Sequence, residues 1–508
     1  MWIAIYLDNV LLQKWQRVIG PMWEYVYTDW LFLTTTGTHA VKMVIDPDNL
    51  ISETTKADNV FELNYTWSPP TLTFSGRITF WDMNPPASPD HGAGNILVGL
   101  YDWDVGGATL LASTTATWDG FYALGPVNNK ETDGDGGQQD VFFRVSANNG
   151  SALVCPASGS PSYSYDTQVE QNKRSGTYAR DISIPQGSGG PFYVADAVLR
   201  ARSKWIELGN TDPGTAKVIL SNAVRTEYHT DTIFVSSAAI DSLQYPDTYE
   251  NTVIWHEYGH RLESLCGFLC GESNPTSHSW NVPSTLKTAG TEGFAHFFSG
   301  LVGGPEIVNK WNSFQSSYKR NLENGEFGTN GYTFSANNGG KLVEGAVAGT
   351  LWDIYDSPSD DYSWWNGSSG VGFRDGIGDT LADGASNILS VLKQRYVSLH
   401  HPQDITEFWA AWFAPTSCGH SKAMEDIYYE HGMTCCRGMR GNVDGDANDQ
   451  VDVSDMQFLI DYLFNNSTPP PCREEANVDG DSQGVVDQSD LLALIDFLFN
   501  HGTIPNCP

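Results

Sequence analysis

The sequence predicts a multidomain chain: β-sandwich modules first, an α+β domain in the middle, and a small helical, acidic-loop domain at the end. Three observations predict this order. Short alternating runs separated by turn residues fill the first 150 positions. Helical spacing of apolar residues takes over near Phe192. The last 70 positions repeat one acidic loop followed by one amphipathic helix.

Length and composition agree. At 508 residues the chain exceeds what one core serves, so about two to four domains are expected. An apolar fraction of 40% with 17 Trp, 22 Tyr and 23 Phe supplies packed cores. The formal charge is −33, from 61 acidic against 28 basic residues. That excess repels phosphates and argues against nucleic acid and anionic membranes. No run of 18 apolar residues occurs, so no membrane span is expected. Four of the eight cysteines (Cys435, Cys436, Cys472, Cys507) fall in the last 74 residues. With few lysines, this points to an oxidising setting, extracellular or at the cell surface; the pairing stays open.

Residues 1–68 read as short aromatic and β-branched strands. Ala40-Val41-Lys42-Met43-Val44-Ile45-Asp46-Pro47, Ile51-Ser52-Glu53 and Asp58-Asn59 together resemble the closing half of a CARDB-type immunoglobulin-like module. That resemblance implies an adhesive or spacing role. Met1 to Asp8 reads as the middle of such a module, without a basic region or cleavage site. The expectation is that its first strands and a signal peptide lie upstream.

Residues 72–150 read as a second β-sandwich, with strands at 72–78, 98–102 and 119–124. Its Thr114–Leu124 stretch resembles the hairpin of transthyretin-like or carboxypeptidase-regulatory-like domains. The turn from Asp133 to Asp140 is a solvated acidic turn or a calcium loop. Residues 151–190, rich in Ser, Gly, Pro and Thr, read as a linker. In residues 191–435, Val194–Ala201 is helical, 217–220 and 232–236 are strands, and helices follow near 248–265, 288–301, 341–355, 384–399 and 404–414.

The chemistry is concentrated in His256-Glu257-Tyr258-Gly259-His260. Histidines four apart on a helix present both imidazoles to one ion. Glu257 on the same turn reaches a metal-activated water as general base. The plain alternative is a helix with two surface histidines. Flanking Val253, Ile254, Trp255, Leu262 and Leu265 make the helix core-packed, and Gly259 admits another backbone closely. Glu292 stands in an apolar run, Thr291 to Phe298; buried without a cation it would be costly. A metal explains it, with His256, His260 and Glu292 as zinc ligands and one position open.

This pattern resembles the gluzincin metallopeptidases, in which a Glu on a downstream helix completes a zincin-like site. Here that Glu lies 32 residues beyond His260. The metzincin pattern fails, since Arg261-Leu262-Glu263-Ser264-Leu265 follows. Thermolysin-like relatives carry an orienting Asp four residues after the ligand Glu; here His296 stands there, as an orienting group or a substitute ligand. Asp353, in the apolar run Glu344–Asp356, supports the site or is structural. Tyr332, Tyr362, His278 and Arg374 are candidate oxyanion donors. Cys266 and Cys270 pair or sit free.

Residues 440–508 contain the repeat. Asn442, Asp444, Asp446, Asp452 and Asp455 recur at Asn477, Asp479, Asp481, Asp487 and Asp490, each offset by 35. Alternating carboxylates before a helix suit calcium, and the pair resembles a type I dockerin, implying a cohesin-like partner. Counted from Asn442 and Asn477, both loops are two residues longer than the usual twelve. The resulting expectation is a secreted zinc endopeptidase acting on peptide or protein, with a calcium-stabilised tail. Two other readings stand beside it: a non-catalytic binding or scaffold protein, and a polysaccharide-degrading component.

Overall fold

The computed structural model describes residues 1–16, 37–67, 70–81, 91–130, 138–222, 225–237, 247–270, 278–308, 319–322, 339–356, 381, 384–394, 400–412, 423–424, 427–428, 431–434, 436, 439–445, 450–465, 470, 472–481 and 484–507. Four antiparallel strands, β1 (Trp2–Leu7), β2 (Val10–Gln16), β3 (Gly37–Ile45) and β4 (Val60–Trp67), form the first sheet in the order β2-β1-β3-β4. Cross-strand pairing puts Ile5, Met43 and Phe61 on one face, as alternating residues require.

The next unit stacks two sheets. One has the order β12-β10-β7-β8, built from β7 (Leu97–Asp104), β8 (Gly107–Thr115), β10 (Val141–Ser146) and β12 (Ser164–Asp166). The other surrounds β5 (Thr71–Phe80), which pairs with β6 (His91–Gly92), β9 (Phe121–Asn128), β13 (Gly176–Ala179) and β14 (Ile182–Ile184). Phe74 and Phe143 meet edge to face between them, ring centres 5.0 Å apart.

Residues 151–190 are therefore not a linker. They supply β12, β13 and β14 to the sandwich, and β11 (Ala152–Cys155) to the following sheet. Three- and four-residue strands between Ser, Gly and Pro turns carry almost no periodicity, and their pairing partners lie up to about 100 residues away. One continuous core runs from Leu72 to Met433.

That following sheet has the order β11-β15-β17-β16, with β15 (Ala216–Ser221), β16 (Glu227–His229) and β17 (Thr232–Ser236). β11, β15 and β17 are parallel, and β16 is an antiparallel edge. Helices α1 (Gln186–Glu207) and α2 (Asn251–Cys266) pack on it; α3 (Leu286–Gly303) packs on α2, α4 (Glu344–Tyr355) on α3, α5 (Gly384–Leu392) on α4 and α6 (Ile405–Trp412) on α5, and a two-stranded ribbon, β18 (Glu306–Val308) and β19 (Lys319–Asn321), follows α3. The molecule thus joins N-terminal β-sheet modules to an α/β region.

The tail has its own small core of Val443, Leu459, Ala476, Val478, Leu494 and Ile504. Its helices are α7 (Val453–Asn465), α8 (Arg473–Ala476) and α9 (Gln488–Asn500). A Cys436–Cys507 disulfide ties its two ends, and Cys472 is also disulfide-bonded.

Candidate metal centre

Helix α2 forms because Ile254, Trp255, Tyr258 and Leu262 recur at helical spacing and are all buried. Gly267, at φ 80°, ends it in the left-handed conformation that glycine adopts without strain. The Trp255 indole N–H donates to the Ala197 carbonyl at 2.9 Å, fixing α2 against α1. Helix α3, capped by the Thr285 hydroxyl, crosses α2 where a Cβ on Gly259 would stand 2.9 Å from the Ala295 Cα. Only glycine permits that approach, and it brings Glu292 over the two histidines.

Three atoms converge there. His256 Nε2 lies 3.1 Å from His260 Nε2 and 3.1 Å from Glu292 Oε2, and His260 Nε2 lies 3.4 Å from that same oxygen. Tetrahedral zinc with ligands at about 2.0–2.1 Å spaces them about 3.3 Å apart. The donor set, two imidazoles and a carboxylate, and its spacing fit one zinc ion.

The electrostatics agree. Burial works against charge on His260, yet Glu292 and Glu263 outweigh it and raise that imidazole well above its ordinary range. Burial likewise opposes an ionised Glu292, and His260 and His256 outweigh it, holding the carboxylate well below its usual range. Burial dominates at His256 and lowers it.

The supports differ from residue to residue. His260 Nδ1 meets Glu263 Oε2 at 2.9 Å, and the Thr291 hydroxyl donates to that oxygen at 2.6 Å. A carboxylate on the far nitrogen is how metal-binding histidines are held. Among the described residues the buried His256 Nδ1 has no hydrogen-bond partner. Its ring instead packs on His296, centre to centre 4.3 Å. The His296 Nε2 lies 3.5 Å from Glu344 Oε1. It is not one of the three converging groups.

Glu257 is 7% exposed, and burial pushes its carboxyl up to about 7. The Tyr228 backbone N–H on β16 bonds to it and works in the opposite direction. His278 sits between two carboxylates, Nδ1 2.8 Å from Glu344 Oε2 and Nε2 3.4 Å from Glu292 Oε1. Burial opposes ionisation of Glu344, but hydrogen bonds from His278 and His296 outweigh it and hold the group at about 2. Asp353 belongs to a separate buried pair with His431 Nε2 at 2.6 Å. Cys266 and Cys270 are free thiols. Tyr332, Tyr362 and Arg374 lie outside the described residues, as does the acidic stretch 131–137.

In the tail the loop frame shifts. The Asp455 carboxylate accepts the backbone N–H groups of Asp444 (3.1 Å) and Asp452 (2.8 Å). Asp490 does the same for Asp479 (3.1 Å) and Asp487 (2.8 Å). Each loop therefore closes over twelve residues, Asp444–Asp455 and Asp479–Asp490, and is not two residues too long. Asn477 sits before its loop, its amide donating to the Asp481 carbonyl at 3.0 Å, and Asn442 holds the equivalent place, also buried. The alternation in Asn-Val-Asp-Gly-Asp begins at the asparagine, so the sequence pattern alone does not separate it from the loop. Asp446 lies outside the described residues.

Residues 215–432 match the family described as the Mycolysin C-terminal domain. The match spans every residue of the metal centre and gives the α/β region a peptidase context. No curated protein matches the chain. Among solved structures, a 9R-lipoxygenase from Cyanothece PCC8801 is similar over 32% of this chain and 27% of its own, at 15% identity and a TM-score of 0.16. The chain thus spans about a quarter of that structure's length, and at this score the likeness carries no argument.

Sequence reasoning missed Glu263 and the part of Glu344. Glu263 had a signal: an acid three residues after His260, on the buried side of the helix.

Proposed function

We propose that the chain is a secreted zinc-dependent endopeptidase, with His256, His260 and Glu292 holding the ion and Glu257 as general base. The observation that carries this is the three-atom convergence beside Glu257 on the same helix. Zinc, when bound, lowers the pKa of a water toward about 7 and polarises the scissile carbonyl. Glu257 accepts the proton of the attacking water and returns it to the leaving amine. Its burial suits a group that must both take and give a proton near neutral pH. The Mycolysin match supports peptide or protein as substrate and a secreted setting. The disulfides and the lack of a membrane-length helix among the described residues agree with that setting.

The second part of the reading is that the tail binds calcium as a dockerin-like pair. In the twelve-residue frame, Asp444, Asp446, Asn448, Asp452 and Asp455 occupy positions one, three, five, nine and twelve. Asp479, Asp481, Gln483, Asp487 and Asp490 repeat the series. Asp455 and Asp490 are 1% and 0% exposed, and burial raises both. A cation offsets that cost. The tail then serves as an anchor for a cohesin-like partner.

The test is casein hydrolysis by wild type beside Glu257→Gln, with zinc determined on both. Cleavage by wild type and none by the zinc-loaded variant supports the reading. A variant that cleaves as fast as wild type overturns the role of Glu257. Two inactive, zinc-loaded proteins favour a binding role.

A further inference from the structure

Glu344 is 3% exposed, belongs to none of the steps above and lies at the start of α4. A buried carboxylate persists only where partners satisfy it. Its partners are two imidazoles, His278 Nδ1 at 2.8 Å and His296 Nε2 at 3.5 Å. The far side of each imidazole meets a different zinc ligand. His278 Nε2 stands 3.4 Å from Glu292 Oε1, whereas Oε2 is the oxygen beside His256 and His260. The His296 ring lies on the His256 ring. His260 has its own support in Glu263.

We infer that Glu344 is a shared positioning residue: through His278 it fixes Glu292, and through His296 it fixes the His256 ring. The inference rests on the zinc reading. The packing explains how one carboxylate serves both ligands. A Cβ on Gly293 would meet the Val347 side chain at 2.6 Å and the Glu344 carbonyl at 3.0 Å, so α4 lies directly against α3. A Cβ on Gly345 would meet Trp280 at 2.7 Å, and Trp280 stands edge-on to His296, centres 5.0 Å apart. The polar fork is thereby closed in by helix backbone and an indole ring. Its two arms act on geometry, so removing the base of the fork loosens both ligands at once.

The experiment is zinc affinity of the full chain, by competition with a chromophoric chelator, for wild type, Glu344→Gln, His278→Ala and the double variant. Thermal unfolding of each metal-free protein is followed in parallel. Outer carboxylates of this kind are worth about 10–100-fold in metal affinity. Both single variants are expected to lose affinity within that range, Glu344→Gln more than His278→Ala because it removes both arms, and the double variant little more than Glu344→Gln, since His278 acts together with Glu344. At saturating zinc the loss falls on kcat and leaves KM nearly unchanged. Folded variants that bind zinc like wild type overturn the inference. So does a wild-type stoichiometry of two zinc ions, which would make His278 and Glu344 ligands of a second ion. If Glu344→Gln does not fold, His278→Ala decides, because His278 is partly exposed. Failure of the underlying reading looks different: wild type itself then binds no zinc.

Discussion

In the proposed function the metal centre and the tail loops would each hold a cation, and they are put together in opposite ways. The centre gathers His256, His260 and Glu292 from two helices and supports them from a third, with the ligand atoms already 3.1–3.4 Å apart. Each tail loop draws on twelve consecutive residues, and among its described carboxylates only the last is buried, where it accepts two backbone N–H groups of its own loop. The centre is preorganised by long-range packing, whereas the other described carboxylates of the loops are half-buried or exposed. Damage to the first should travel through the domain; damage to the second should stay local.

The largest expected effect tests the chemistry of the preorganised site. Glu257→Gln lowers kcat by about 10²–10⁴-fold with zinc retained, read from casein cleavage. The same variant separates charge from chemistry. Glu257 is raised from 4.5 to about 7 in the folded chain. Its contribution to stability is therefore present below about pH 4.5 and is lost as pH rises through 7. Metal-free Glu257→Gln should be more stable than wild type by about 3 kcal/mol at pH 8, with no gain at pH 4. Urea unfolding at the two pH values measures this.

Next in size is the packing that creates the convergence. Gly259→Ala forces a Cβ to 2.9 Å from the Ala295 Cα and should cost about 1–3 kcal/mol while also weakening zinc. Calorimetry and chelator competition read the two effects. The smallest effect is in the tail. Asp490→Asn should abolish part of the calcium-dependent rise in Tm of the tail while casein cleavage stays within about twofold of wild type, as expected of a distant site. A large loss of activity would break the contrast between the two regions.

Legibility in the sequence follows the same division. Helix α2 and the meeting of His256, His260 and Glu292 were readable, because four-residue spacing and an acid in an apolar run are local signals. The strand at 232–236 was readable for the same reason. The strands within 151–190 were not, since their partners on β5 and β15 are distant in sequence. Glu344 and His278 could be singled out as polar groups, but their meeting depends on how α3 and α4 pack. The tail repeat is plain in the sequence, but its frame is not: the alternation starts at Asn442, and only the Asp444 N–H to Asp455 bond marks where the loop closes.

The measurement that tests the central claim most directly is the zinc X-ray absorption spectrum of the loaded chain. The account predicts a four-coordinate shell of two imidazole nitrogens at about 2.0–2.1 Å and oxygens at about 2.0–2.2 Å. A thiolate at about 2.3 Å, drawn from Cys266 or Cys270, or a six-coordinate shell of oxygens alone would contradict it.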